Sequence, residues 1–289
     1  MISVKAPATS ANLCCGLDTF GLAVSMHNTF TFERSERFTY DGRKVDMDEL
    51  NNLVIKSYMI ASEHLGKEPV PVKVEGFSSI PSARGLGSSA TCAVAGIIAA
   101  YMIHDVKVNL KEVFNVASVI EDHPDNVAAC IFGGMTLSYH TDEGYRYYRI
   151  FPDRKYRLCA FIPRFRLRTD RSRSVLPETY PREDAVFNIQ RASLLALSIQ
   201  SGKTSFVRDA LDDRLHERYR KDLINGYDDI VDIAHSHGFI GTYLSGAGPT
   251  VMGLYSGRMD FDAVRKDLKK LRHRYDLKPL NVDMKGVSF

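Results

Sequence analysis

The sequence predicts an α+β protein built in two units, and three observations carry that expectation. Phe20–Arg34 alternates in polarity and is rich in aromatic and β-branched residues, the mark of a long strand. Thr91–Met102 is an apolar run behind the small-residue loop Gly85–Ser89 and reads as a helix. From Arg157 onward helical segments mix with hairpin-like strands, which predicts helices on one face of a mainly antiparallel sheet. Between the two halves, Asp142–Pro152 is charged, tyrosine-rich and closed by proline, so a boundary is placed there, with units 1–150 and 151–289.

Taken in order, Ile2–Lys5 is a short strand and Ala6–Asp18 a small, polar loop ahead of the Phe20–Arg34 strand. Asp46–Asn52 leads into a helix over Leu53–Leu65, and Val70–Glu75 alternates as a strand. Asn109 can cap a helix over Leu110–Ile120, Glu121–Asn126 is a polar loop, Val127–Ile131 is apolar, and Gly133-Gly134 breaks it before a strand at Met135–His140. In the second half Arg157–Ile162 is a strand, while Phe187–Ser201, Thr204–Leu211 and the amphipathic Leu223–His237 are helices. Phe239–Leu244 and Thr250–Tyr255 are strands about the Gly-rich turn Ser245–Pro249. A last helix spans Asp262–Tyr275 and a last strand Pro279–Lys285.

Composition narrows the function classes. A net charge of +3, from 38 basic and 35 acidic residues, makes no electrostatic case for nucleic acid. The five cysteines (14, 15, 92, 130 and 159) are odd in number, with no CxxC pair and no metal-ligand spacing, so a reducing, cytoplasmic setting is expected rather than a disulfide framework. No apolar run is long enough to span a membrane and no signal peptide is read. His123 among acids invites a zinc reading, but no second His or Cys stands at ligand spacing.

Chemistry is concentrated in Ile80–Ala90, IPSARGLGSSA. Glycines let a backbone approach an anion, and a helix N-terminus behind them offers free N–H groups and the positive end of a dipole. Ser88 and Ser89 can cap that helix or turn their hydroxyls to a phosphate or a Mg²⁺ ion. The stretch therefore reads either as a phosphate cradle or as an ordinary serine-capped turn. It fits neither GxxxxGK[ST] nor GxGxxG. Gly202-Lys203-Thr204 only mimics the end of a Walker motif, since Leu197 stands where the leading glycine belongs. Ser10, Asn12 and Asp18 read as turn chemistry or as holders of an alcohol substrate, and Arg168–Pro177 as a solvated basic run or as guanidinium forks for a carboxylate.

The stretch resembles the phosphate loop of the GHMP kinases, PxxxGLGSSA, through Pro81, Gly85, Leu86, Gly87, Ser88, Ser89 and Ala90. APATSAN with Gly16 and Asp18 is similar to the first motif of that superfamily in its homoserine kinase form, and Ser245-Gly-Ala-Gly-Pro-Thr250 to the third. Three motifs in order identify the chain as a member. The resemblance implies an α+β two-domain GHMP kinase fold, an N-terminal domain like domain 2 of ribosomal protein S5 and a ferredoxin-like C-terminal domain, with ATP in the cleft between them. It also implies ATP-dependent phosphorylation of a small alcohol in threonine synthesis, with L-homoserine as acceptor; a GHMP kinase for threonine, mevalonate or a sugar, and a non-catalytic ATP- or metabolite-binding member, are the alternatives.

Residue by residue, the resemblance places Pro81, Arg84 and the loop from Gly85 to Ala90 on the nucleotide, with Asn52 toward the adenine. Glu121, with Ser88 or Ser89, would hold Mg²⁺. His123 and Asn126, from EDHPDNVAAC, would face the amino acid, and Asn12 or Asp18 its amino group or hydroxyl. Thr169, Arg173, Arg220 and Gly246 complete the substrate side, the two arginines clamping the carboxylate. Ser89, Glu121 and Asn126 would carry catalysis; an amide is no base, which fits a family in which the substrate proton passes to the phosphate itself. A homodimer is expected by the same analogy. The departures are Cys14, Cys15 and Leu17 in the first motif, Asp122 for glycine, Ser172 for alanine and Arg218 for proline.

Overall fold

The computed structural model describes residues 1–41, 43–44 and 52–289, so most of the expected lead-in at 46–51 lies outside the described residues. β1 (Ile2–Ala11) pairs antiparallel with β2 (Phe20–Arg34) along its whole length, with a register shift between Pro7 and Ala8. This corrects the short strand and loop expected there. Proline lacks an N–H and is tolerated at a bulge, and the long partner strand draws Ala8, Thr9 and Ser10 into the ladder although Pro7 and Ala8 are poor strand formers.

β3 (Thr39–Tyr40), β4 (Arg43–Lys44), α1 (Leu53–His64), β5 (Val72–Ser78), α2 (Ser88–Ile103), α3 (Leu110–Glu121), α4 (Asp125–Phe132), β6 (Met135–Thr141) and β7 (Gly144–Ile150) complete the first half. The strands form one seven-stranded sheet in the order β4-β3-β5-β2-β6-β7, with β1 also on β2. Asn52 caps α1, its side chain accepting from the N–H groups of Val54 and Ile55, and Asn109 caps α3 through Lys111. α2 is buried along nearly its whole circumference, the reason its sequence shows no polar face. The charged run Asp142–Pro152 holds β7, the outermost strand beside β6, where charge and tyrosine suit an edge.

The second half contains β8 (Tyr156–Pro163), α5 (Thr169–Arg173), α6 (Arg182–Ser201), α7 (Thr204–Ala210), α8 (Glu217–Arg220), a 3₁₀ turn at Lys221–Leu223, α9 (Tyr227–Ser236), β9 (Gly241–Leu244), β10 (Val251–Ser256), α10 (Phe261–Leu268) and β11 (Tyr275–Leu280). Its sheet is antiparallel, in the order β11-β8-β10-β9. The final helix is shorter than expected and the last strand earlier, because Tyr275 is drawn into the core beneath α9 and Tyr275–Leu280 takes register on β8.

Helices on one face only is also corrected. Cys159, Phe161 and Val251 pack under α9 and α10, while Leu158, Ala160 and Met252 on the opposite face meet Ala8 and Val24 of the first half and Leu195 and Ile199 of α6. The two sheets thus share a core. The tail returns to the first sheet through bridges of Val24 with Val282 and Lys5 with Ser288. No helix among the described residues is long and apolar enough to cross a membrane.

Candidate active site

Between the halves lies a cleft of about 570 Å³, lined by three loops that are remote in sequence. The first joins β1 to β2, the second leads into α2, and the third joins β9 to β10. The contacts among them are specific. Thr9 N–H donates to the carbonyl of Leu86 at 3.2 Å, and Gly246 N–H to that of Ala11 at 3.0 Å. The hydroxyls of Ser10 and Ser245 lie 2.7 Å apart, Ser245 also donates to the Gly85 carbonyl at 2.5 Å, and Asn12 Nδ2 donates to the Gly246 carbonyl at 2.9 Å. The Ser245–Thr250 turn is therefore a clasp that locks the other two loops together.

Two glycines explain how the loop meets α2. Gly87, at φ +64°, precedes Ser88, and a Cβ on it would stand 1.8 Å from Thr9 Oγ1. Gly85, at φ +70°, would place a Cβ 2.2 Å from the Ser245 carbonyl. Both need a left-handed backbone and close approach, which only glycine supplies without strain. The first N–H groups of α2, Ser88 and Ser89 among them, then open on the cleft with the helix dipole behind them.

Ser89 Oγ donates to Glu121 Oε2 at 2.6 Å. Burial raises the Glu121 carboxyl, while the Ser89 hydrogen bond and the nearby His123 oppose that shift. The hydroxyl and the carboxylate beside the start of α2 are both oxygen donors, the type a hard divalent cation takes. His123 Nδ1 lies 3.0 Å from Asp125 Oδ1. Burial disfavours the charged ring, yet Asp125 and Glu121 outweigh that and hold His123 above its usual value, against Arg173. Thr9 Oγ1 donates to Asn126 Oδ1 at 2.7 Å, so the Asn126 amide on α4 is oriented from β1.

On the other side of the cleft, Arg173 pairs with Asp18 at 2.8 and 3.4 Å. Thr169 opens the same short helix, α5, and both line the cleft. Ser172 is buried and donates to the Ala247 carbonyl at 2.6 Å, a bond that alanine there would lack. Arg220 is almost wholly buried. Its Nε donates to the Ser172 carbonyl at 3.1 Å and its Nη1 to that of Gly246 at 3.2 Å, so it ties α5 to the clasp and has Nη2 left over among the described residues.

Most of the residues expected at a site face this one cleft: Asn12, Asp18, Pro81, Arg84, Gly85, Leu86, Gly87, Ser88, Ser89, His123, Asn126, Thr169, Arg173, Arg220 and Gly246. Three do not line it. Asn52 caps α1, Ala90 is packed in the core beside α1, and Glu121 sits behind Ser89. Arg84 lines the cleft while its guanidinium donates to the carbonyls of Ser82, Pro163 and Arg164. Sequence reasoning missed Thr9 and Asp125, although both lie inside the motifs that were matched; only their pairing in space shows that they orient Asn126 and His123. Cys92, one turn into α2, also lines the cleft and was missed.

The departures find places. Cys14, at φ +70°, takes a conformation glycine would hold without strain; its carbonyl meets His216 Nε2 at 2.5 Å, and burial pushes its thiol well up. Burial likewise pushes the Cys15 thiol up to about 12, so both are packed, unreactive thiols. Asp122 is exposed and ends α3 in the left-handed region, which aspartate tolerates better than most residues. Arg218 pairs with Asp184 outside the cleft lining.

Comparison with known proteins agrees with this geometry. Residues 52–134 match the GHMP kinases N terminal domain and residues 199–273 the GHMP kinases C terminal domain. The chain is 39% identical over 258 residues to the homoserine kinase of Clostridium acetobutylicum, covering 88% of this chain and 87% of that one. The crystal structure of homoserine kinase from Cytophaga hutchinsonii superposes with a TM-score of 0.88 at 28% identity, over 99% of this chain and 96% of that one. Mevalonate kinase from L. major, at 15% identity and a TM-score of 0.72 over 99% of this chain and 97% of that one, shares the fold. The chain belongs to the homoserine kinase family of the GHMP kinases.

Proposed function

We propose that the protein transfers the γ-phosphoryl group of ATP to the hydroxyl of L-homoserine. One observation supports this above the rest: a single cleft has a helix N-terminus behind a glycine loop at one end and a carboxylate–guanidinium pair 2.8 Å apart at the other. The first suits a polyphosphate and the second the two charges of a free amino acid. The names of the relatives point to the same reaction.

Phosphoryl transfer asks for positioning and charge stabilisation more than for covalent chemistry. The backbone N–H groups at the start of α2 would hold phosphate oxygens. Arg173, helped by Nη2 of Arg220, would take the substrate carboxylate, and Asp18 its ammonium. Asn126, oriented by Thr9, and His123, oriented by Asp125, would then fix the substrate between them. The hydroxyl oxygen forms the new P–O bond as the bond to the β-phosphate oxygen breaks; the hydroxyl proton passes to the transferred phosphoryl group and ADP leaves. Glu121 and Ser89 would hold Mg²⁺, which offsets charge on the phosphates. Alignment of this kind can lower the barrier by several kcal/mol.

The unit boundary near residue 150 and a homodimer belong to the same reading. Coupled ADP release with Mg-ATP and a panel of L-homoserine, L-threonine, L-serine, mevalonate and galactose tests it. Turnover of homoserine at about 1–100 per second and little of the rest is expected. Turnover of another alcohol with silence on homoserine would overturn the substrate assignment, and ATP binding with silence on the whole panel would overturn the enzymatic reading.

A further inference from the structure

Behind the substrate side of the cleft lies a buried polar network built on Asp213, whose side chain is wholly buried. Four donors converge on its carboxylate. Asn188 Nδ2 at 2.7 Å and the Leu215 N–H at 3.1 Å meet Oδ1, and the N–H groups of His216 and Glu217, both at 2.7 Å, meet Oδ2. Asp213 thus fixes the chain entering α8 and, with it, the backbone of His216. The His216 side chain is also wholly buried and does not line the cleft.

Both ring nitrogens of His216 are occupied. Nε2 lies 2.5 Å from the Cys14 carbonyl and Nδ1 3.2 Å from Nη1 of Arg220. A carbonyl only accepts, so Nε2 carries the hydrogen; a guanidinium only donates, so Nδ1 is bare. The two contacts together fix one neutral tautomer. Electrostatics agree, since burial, with the Arg220 charge, disfavours the imidazolium and outweighs Asp213.

The ring spans two parts of the substrate site. On one side is the loop from β1 to β2, where Asn12, Leu13 and Cys14 stand consecutively at φ +69°, +43° and +70°. Three left-handed residues in a row, none of them glycine, keep that shape only when held from outside. His216 holds the Cys14 carbonyl, and Asn188, itself fixed by Asp213, holds that of Cys15 at 3.1 Å. Asn12 Oδ1 accepts the Asp18 N–H at 3.0 Å, so the shape of the loop sets where the Asp18 carboxylate stands. On the other side is Arg220, whose Nη1 meets His216 and the Gly246 carbonyl and leaves Nη2 for a substrate carboxylate.

We propose that His216 is a positioning residue for the substrate: as the neutral Nε2–H tautomer it sets the Asn12–Cys14 loop and the Arg220 guanidinium relative to each other. It thereby fixes the spacing between the groups that take the ammonium and the carboxylate. The inference rests on the amino-acid substrate reading above.

Steady-state kinetics and ¹⁵N NMR test it. His216→Leu removes both contacts and should raise KM for homoserine about tenfold or more, with KM for ATP within about twofold of the wild type. His216→Asn keeps an acceptor toward Arg220 and His216→Gln a donor toward the Cys14 carbonyl, so each should recover part of that loss. A merely structural role would lower the melting temperature and the active fraction, hence kcat, and leave KM in place. An unmoved KM for homoserine in these variants, or an equal rise in both KM values, overturns the proposal; if His216→Leu does not fold, the Asn and Gln variants carry the same comparison. In wild type labelled with ¹⁵N-histidine, the signals that vanish in His216→Gln should show a protonated Nε2 and a bare Nδ1 near neutral pH. A protonated Nδ1 overturns the proposal without any variant. Silence of the wild type on homoserine overturns the functional reading alone, and the variants are then compared, with the same two outcomes, on the panel alcohol that is turned over.

Discussion

Replacing Gly85 with alanine tests the clasp that joins the phosphate loop to the Ser245–Thr250 turn. The new Cβ would lie 2.2 Å from the Ser245 carbonyl oxygen and 2.8 Å from that of Gly248, both backbone atoms that cannot rotate aside. Two costs follow. A left-handed residue with a Cβ costs about 1–2 kcal/mol, and forcing an extra carbon into a packed site costs about 1–3. The sum, about 2–5 kcal/mol, corresponds to a fall in melting temperature of roughly 4–20 °C for a chain of this size. Gly66→Ala is the matched control, since Gly66 has φ +66° with nothing within 4 Å of an added Cβ, so only the first cost applies. The assay is thermal unfolding of both variants followed by circular dichroism, with KM for ATP at saturating homoserine. Gly85→Ala should melt below Gly66→Ala and lose ATP affinity, while Gly66→Ala keeps it. Equal melting of the two variants with an unaltered KM for ATP would refute the idea that this contact positions the loop.

Arg173→Ala should raise KM for homoserine by roughly 10- to 100-fold, the equivalent of one or two charge-assisted hydrogen bonds, with KM for ATP nearly unchanged; equal loss of both would sink the assigned role. Glu121→Gln should shift the Mg²⁺ concentration for half-maximal rate upward by about tenfold or more, with excess Mg²⁺ restoring part of the rate, and an unmoved Mg²⁺ curve contradicts the ligand assignment. Glu217 accepts from Leu244 N–H at 2.5 Å and from the Tyr227 hydroxyl at 3.1 Å, and burial raises its carboxyl from 4.5 to about 8. Its folded form prefers the proton, so the stability it contributes is complete below pH 4.5 and lost as pH rises through about 8. The melting temperature of the wild type should therefore fall relative to Glu217→Gln across that window, and parallel pH profiles would show that the carboxyl is not desolvated.

Much of the local structure was legible in the chain. Asn109 announced a helix start, the alternation of Phe20–Arg34 marked β2 to the residue, and Gly85 and Gly87 announced a loop whose backbone something approaches closely. These features are local: a cap, a period of two, and a missing Cβ each act within a few residues. The errors arose where a distant partner overrode local preference. Pro7–Ser10 looked like a loop until β2 paired with it, and Tyr275 looked like the end of a helix until the core beneath α9 took it. Motif matching also named most residues of the cleft, but it gave the two arginines one task. Arg173 and Arg220 look alike in sequence, yet one is half-exposed against Asp18 and the other is buried with two of its nitrogens on backbone carbonyls. Thr9 and Asn126 are 117 residues apart, Asp18 and Arg173 are 155, and Ser10 and Ser245 are 235. The sequence by itself determined the loops, the helix starts and the residue types that phosphate and carboxylate recognition need. Only the tertiary structure decided which of those groups face the cleft and which hold it together, because hydrogen bonds and ion pairs form between neighbours in space, and the fold alone makes these residues neighbours.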